Sequence, residues 1–391
     1  MRVLMVTTTP PYLPTHDRAR LAPASLLAHL AARHALAVVT LDARAETPAQ
    51  RAWAATLGVR TMRAPAGRLR HPLRSAPAEG LTALAAAVRR AAAEWRPDLV
   101  HLDGALLAPL ATELPVPVVL ACRESGVRRA RQGRRRARRP HEWMRAQLDE
   151  RIELEWERRW LPAAAACVVG SEADRRTLAE RVPFDRIEVI PPGIDAQLYG
   201  FRRGGERGRL VFAGHLAWPA HRDAARRLAT GVLPRVRRVL PRAELLIAGA
   251  GAGSALRALT ASPGVRVAGA TPDLRPTLWS ATVALVPAEA APGVDAALLE
   301  SMALGTPVVA ARSCLAGLDD ILPGQHVLAA ETDAETAAAI ELVMREPVVA
   351  ATLAASARQM IERRYTWAAV ARCYESLWAR VADTRPAAVA A

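Results

Sequence analysis

The chain has no lysine and no asparagine. Both residues have AT-rich codons, so a GC-rich genome explains the two absences together. Every cationic role therefore falls to arginine, histidine or a helix dipole, and the net charge of +15 is carried by arginine alone. Aromatics make up only 4% of a chain that is 51% hydrophobic, so alanine and leucine must do much of the core filling. No run approaches the ~18 apolar residues of a membrane span. The N-terminus lacks the apolar region and small-residue cleavage site of a signal peptide. A cytoplasmic protein is expected, with peripheral contact at the inner face of the membrane as the second reading. The four cysteines, Cys122, Cys167, Cys314 and Cys373, are scattered with no Cys-x-x-Cys. Buried free thiols are expected, not a disulfide or zinc framework.

At 391 residues the chain is long enough for two or three domains of ~150 residues. Its first half alternates strand and helix signals. Apolar runs at 2–8, 35–41, 59–62, 98–104 and 117–122 read as strands, with helical spacing over 17–34 and 80–95. A charged helix over 142–161 precedes a strand at 166–169 and a helix capped by Ser171, whose first turn holds Glu172 and Asp174. The strand and turn of 187–195 follow. Residues 197–209 are rich in glycine and arginine without periodicity and read as a linker. The pattern then restarts with strands at 210–214, 244–249, 265–268, 283–286, 308–310 and 326–329, and a helix over 221–240. Such alternation predicts βαβ units, hence two doubly wound parallel sheets in tandem. In that fold a ligand lies at the carboxyl ends of the strands, in a central cleft. The expected division is 1–195, a linker over 196–208, 209–365, and 366–391 as a last helix and tail.

The most informative stretch is PGVDAALLESMALGTPVVA at 292–310. It reads as a loop after a strand, a helix carrying one carboxylate at Glu300, and a turn into a buried strand. A helix N-terminus supplies unpaired N–H groups and a positive dipole end, so the Gly293 turn can hold a diphosphate. Glu300, about two turns on, can accept hydrogen bonds from a ribose diol. An ordinary crossover with a surface glutamate fits this stretch equally well.

Further segments appear in a telling order: VVGSEADRRTL at 168–178, VIPPGID at 189–195, FAG at 212–214 leading to Asp223 and Ala224, LIAG at 246–249, PDLR at 272–275 and RYTW at 364–367. Together they resemble the family-4-like glycosyltransferases of the GT-B fold, over nearly the whole chain. The resemblance implies two Rossmann-like domains facing a cleft. It implies sugar transfer from a UDP- or GDP-linked donor to a glycan, lipid-linked or small-molecule acceptor, with retention and without a metal or cofactor. It also implies that the last helix crosses back to the first domain. Matched position by position, Gly293 is the phosphate-turn glycine, Glu300 the ribose carboxylate and Gly214 the close-approach glycine. Val294, Leu299, His215 and His221 fall beside these as donor-side residues.

Departures accompany the likeness. Asp295 and Ala297 stand where relatives carry basic residues, and Pro292 where an acid is frequent; Glu289, three residues earlier, is the available substitute. His221 and Arg222 sit near a position that relatives fill with lysine. The residues 14–19 replace a glycine-rich turn. An acid near a diphosphate opposes the charge that develops there, so Asp295 either serves the helix dipole, or is offset by Arg222, or marks lost activity. Arg222 reads as a diphosphate ligand or as a surface helix residue, and His215 as a substrate contact or a backbone-bonded loop residue. Arg123 and Glu124 read as acceptor-side groups or as a solvated loop pair. The glycines at 249, 251 and 253 follow their strand too loosely for a dinucleotide fingerprint. A nucleotide-sugar epimerase and a non-catalytic scaffold are the alternative functions.

Arg128, Arg129, Arg131, Arg134, Arg135, Arg136, Arg138 and Arg139 crowd twelve residues without one acid. Such a block is expected to be a solvated loop, with an anionic membrane surface as the next reading. No aromatic or base-reading motif accompanies it, so nucleic acid is not expected.

Overall fold

In the computed structural model, the described residues are 1–15, 18–41, 47–65, 79–137, 139–202, 205–271, 273–288, 296–316 and 318–383. They divide into two compact units. One comprises Met1–Pro192 and Trp367–Ala391, the other Gly193–Thr366.

The first unit is built on β1 (Arg2–Thr7), β2 (Ala35–Leu41), β3 (Arg60–Ala64), β4 (Leu99–Asp103), β5 (Val118–Arg123), β6 (Ala166–Val169) and β7 (Ile187–Val189). All pairings are parallel, in the order β3-β2-β1-β4-β5-β6-β7. Helices connect them: α1 (Arg18–Leu30), α2 (Pro48–Thr56), α3 (Glu79–Trp95), α4 (Gly126–Arg136), α5 (Pro140–Trp160) and α6 (Glu172–Leu178). A parallel sheet covered on both faces needs strands that are apolar throughout, which is why β1 and β2 read as continuous apolar runs. Leu4, Val6 and Leu102 pack on one face against Leu84 and Val88 of α3. Val3, Met5 and Leu99 pack on the other against Leu26, Leu27 and Leu30 of α1.

The second unit contains β8 (Arg209–Ala213), β9 (Glu244–Ala248), β10 (Val265–Ala268), β11 (Val283–Val286), β12 (Val308–Ala310) and β13 (Leu328–Ala329), all parallel in the order β10-β9-β8-β11-β12-β13. Its helices are α7 (Pro219–Arg227), α8 (Leu233–Val239), α9 (Ser254–Arg257), α10 (Arg275–Trp279), α11 (Ala296–Leu304), α12 (Arg312–Leu315), α13 (Asp333–Arg345) and α14 (Pro347–Met360). The single helix expected over 221–240 is α7 and α8 joined by a π turn, Leu228–Val232. Thr332 and Glu335 start α13 with reciprocal side-chain caps. The last helix, α15 (Trp367–Asp383), returns to the first unit, where Trp378, Tyr374 and Leu377 close the face lined by Val3 and Met5.

Three sequence expectations change. The segment expected as a linker packs onto the second unit: Arg202 N–H donates to Leu304 O (3.0 Å), and Trp279 Nε1–H donates to Gly200 O (3.1 Å). Cys122, Cys167 and Cys314 are buried, but Cys373 is exposed on α15. The arginine run is no solvated loop. Its described residues form α4 and lead to the start of α5, and acids near and distant in sequence meet their side chains. Arg128 bonds Asp174 (Nε–Oδ1 2.6 Å), Arg129 pairs with Glu124 (2.7 Å) and Glu153 (3.0 Å), Arg131 with Glu150 (3.0 Å) and Glu180 (2.9 Å), and Arg134 with Glu150 (2.8 Å). Ser125 caps α4 by accepting Arg128 N–H (3.2 Å).

Candidate functional site

In the second sheet β8 and β11 lie side by side, while their following connections lead to opposite edges. Such a switch point leaves a crevice at the carboxyl ends of the two strands. Gly214 follows β8 directly. Residues 289–295 follow β11, so Glu289, Pro292, Gly293, Val294 and Asp295 lie outside the described residues.

The loop after β8 is held by glycines. Gly214 N–H donates to Ala248 O (3.0 Å). A Cβ on Gly214 would lie 2.4 Å from His221 Nδ1, so a side chain there would displace the imidazole. Gly249, at φ +139°, has no such latitude: its Cβ would sit 1.8 Å from Gly214 O, a backbone atom. Gly251, at φ +84°, likewise abuts Ala217 N at 2.6 Å. These two glycines therefore serve close packing of the loops after β8 and β9.

His221 is buried, edge-on to Phe212 (6.1 Å) and Trp218 (5.3 Å). His215 is exposed and lies against Trp218 (5.3 Å, 31° between planes). Trp218 itself is 53% exposed; the sequence reading did not single it out. Arg222 folds back, with Nη1–H donating to Ala217 O (2.5 Å). Gly214, His215, His221 and Arg222 thus belong to one loop and helix start.

Glu300 is the single charged residue of α11, whose other residues from Leu298 to Leu304 are buried. Leu299 is among them, so its side chain is core packing and leaves only its backbone for a ligand. Glu300 is half-buried and hydrogen-bonded to the Tyr199 phenol. Burial, and then the Glu300 charge, push the Tyr199 pKa up, so the phenol stays protonated and donates. Arg275 stands 6.0 Å from the Tyr199 ring, is held by Asp273 (2.8 Å) and donates to Leu198 O (3.1 Å). Arg358 of α14 completes the arrangement. Its guanidinium donates to Ala303 O (2.5 Å), Ala196 O (3.1 Å), Tyr199 O and Glu362 Oε1 (2.6 Å). The segment carrying Tyr199 is thereby tied to the last turn of α11. Sequence reading found Glu300 but neither Tyr199 nor Arg358.

In the first unit Arg123 ends β5 at φ +66°, where the register with β6 shifts. A left-handed backbone at a non-glycine is unfavourable, and the irregularity between β5 and β6 holds Arg123 in it. Arg123 and Glu124 do not pair with each other. Arg123 Nη2 bonds Asp103 Oδ2 at the end of β4 (2.7 Å), and Glu124 pairs with Arg129. Burial raises the Asp103 pKa, against the lowering by Arg123. Two residues back, fully buried His101 is held to a pKa of about 3 by burial and then by the Arg123 charge. Its neutral Nδ1 accepts Trp378 Nε1–H (3.3 Å). Asp103, the polar end of an apolar strand, was legible but unremarked in the sequence. Among the described residues no cluster of three metal-ligating side chains occurs.

Comparison with known proteins gives a consistent pattern. Residues 207–346 match the model described as glycosyl transferases group 1, and residues 24–198 match glycosyltransferase family 4. Glycogen synthase of Mycobacterium tuberculosis is 30% identical over 299 residues, covering 71% of this chain and 67% of that protein. Sucrose-phosphate synthase from Thermosynechococcus elongatus superposes with a TM-score of 0.71 at 18% identity, over 97% of this chain and 98% of that one. Anabaena HepE, solved in complex with UDP and glucose, gives 0.66 at 15% identity, over 97% and 100%.

Proposed function

The chain belongs to the family-4 group of glycosyl transferases, and on that premise we propose that Glu300 anchors a nucleotide-sugar donor in the second unit. The observation that carries this reading is the setting of Glu300. It is a lone carboxylate on an otherwise apolar helix, beside a switch point, held by a protonated phenol. A carboxylate so fixed is prepared to accept hydrogen bonds from a ribose diol. The HepE complex favours uridine diphosphate as the donor's nucleotide.

In the proposed reaction the anomeric carbon loses its bond to the diphosphate and bonds to an acceptor hydroxyl oxygen with retention, while the hydroxyl proton passes to the departing diphosphate. Negative charge grows on the departing diphosphate, and groups that favour it accelerate the step. Arg222, at the start of the helix after the Gly214 loop, is the proposed cation for that charge once released from Ala217 O, and the glycine loop is the proposed place of close backbone approach. By the family resemblance alone, Gly293 and Glu289 are the remaining donor-side candidates. No resident metal enters this scheme. Arg123, fixed by Asp103, is the acceptor-side group, and its strained backbone supports that role. A glycan or lipid-linked acceptor fits the arginine-rich first unit.

Binding of UDP, ADP, GDP and their sugars, followed by thermal shift, tests the donor assignment. A nucleotide at ~100 times its dissociation constant should add ~2.7 kcal/mol to the folded state. That gain should vanish in Glu300→Ala, while Glu300→Gln should retain part of it. Unaltered nucleotide affinity in Glu300→Ala would refute the assignment.

A further inference from the structure

Trp218 stands on the turn that follows β8, a switch-point strand, and more than half of its surface is in solvent. Tryptophan is ordinarily far more buried. Ala217 and Pro219 beside it are exposed as well, so the apolar surface continues along the turn. The turn is stiff. Leu216 is fully buried, Trp218 N–H donates to His215 O (2.9 Å), and Trp218 O accepts Arg222 N–H (3.1 Å). Pro219 opens α7 with its fixed φ, and Ala217 abuts Gly251. Two imidazoles hold the indole itself, His215 at 5.3 Å and His221 at 5.3 Å and 61°. An aromatic side chain fixed in this way loses little freedom when a ligand covers it.

The order of the donor's parts indicates what covers it; here the inference rests on the donor reading above. The ribose belongs at Glu300 on α11, and the diphosphate beyond it, toward Arg222 on α7. The base hangs from the ribose on the side away from the diphosphate, and the sugar follows the diphosphate on the other. Trp218 is one helical turn before Arg222 and so lies on the sugar side. We propose that Trp218 is the platform on which a pyranose ring of the substrate stacks. An indole carries negative charge on its faces. The C–H bonds on one face of a pyranose are apolar and slightly positive, while its hydroxyls point outward at the rim. Exposed His215, beside the indole, is placed to bond such a hydroxyl. The ring that stacks is the donor's sugar or a sugar of the acceptor, since both offer the same C–H face.

The test is titration calorimetry of the full chain with matched pairs, UDP and UDP-glucose, ADP and ADP-glucose, GDP and GDP-mannose, and with maltotriose as a neutral sugar. If the donor's sugar stacks, one sugar nucleotide binds wild type more tightly than its own diphosphate. Trp218→Ala should then lower that affinity about two- to tenfold and leave the diphosphate's unchanged. If the acceptor's sugar stacks, maltotriose affinity falls by the same factor and sugar-nucleotide affinity does not. In either case Trp218→Phe should recover most of the loss, and the urea midpoint should stay at its wild-type value. Glu300→Ala, measured on the diphosphates alone, reports the donor reading separately, because Trp218 has no part in that readout. An unchanged affinity of Trp218→Ala for every sugar nucleotide and for maltotriose would overturn the proposal. So would an equal loss for diphosphate and sugar nucleotide, which would mark a base contact or a structural role. Wild type that binds neither maltotriose nor any sugar nucleotide would overturn it too.

Discussion

Replacing Arg358 by alanine should loosen the Tyr199 segment from α11 and so disturb Glu300 without touching it. Arg358 is 15% exposed in its side chain and donates to three backbone carbonyls and Glu362. A hydrogen bond involving a charged group contributes about 1.5–3 kcal/mol. The pair with Glu362, itself 55% exposed, contributes under ~1 kcal/mol. Water will reach some of the freed carbonyls and the terms are not additive, so the expected loss is about 3–5 kcal/mol. Against a total stability of about 5–15 kcal/mol, that leaves the second unit marginal. Urea unfolding gives the loss, and hydrogen exchange gives its location, with protection falling first at 196–199 and 296–304. Nucleotide affinity should fall in step. Arg358→Lys keeps the charge but offers a point donor in place of a planar fork, so it should recover less than half. A loss below ~1 kcal/mol, or exchange that rises elsewhere in the unit while 196–199 stays protected, would refute the reasoning.

Two further outcomes follow from the geometry. The His101 pKa of about 3 lies below its ordinary 6.5, so the unfolded chain binds a proton that the native state refuses. Stability should therefore be full above pH 6.5 and fall by up to about 1.4 kcal/mol per pH unit as pH drops toward 3. The raised carboxyls of Asp103 and Glu157 act in the opposite direction at acid pH; comparison of wild type with His101→Gln between pH 7 and 5 isolates the histidine. Gly249→Ala places a Cβ against Gly214 O and strains a left-handed backbone. It should cost more than ~2 kcal/mol in urea unfolding and weaken nucleotide binding, and a neutral result would show that these loops separate freely.

What could be read from the sequence depended on how far apart the partners lie. Strands such as Ala35–Leu41 announce themselves because a doubly covered parallel sheet admits only apolar residues. Ser171 was legible as a cap because its partner, Asp174 N–H, is three residues away. The state of α4 was not legible. Its neutralising acids Glu150, Asp174 and Glu180 lie 16 to 49 residues off, and a block of like charge looks solvated until they are placed. Tyr199 sits in an aperiodic, arginine-rich stretch and acquires meaning only beside Glu300. Arg123 and Glu124 looked like each other's partners in sequence, but the register shift at the end of β5 turns them to different acids and bases.

The return of α15 to the first unit has a consequence for biosynthesis. The second unit is one uninterrupted stretch, Gly193–Thr366, so it can finish folding while the chain is still being translated. The first unit, although its sheet emerges earlier, leaves the face of Val3, Met5 and Leu99 only partly covered, by α1, until Trp378 leaves the ribosome. At about 5–20 residues per second the intervening stretch takes roughly 10–40 s. During that interval the first unit is expected to stay less stable than the second, which is complete in one stretch.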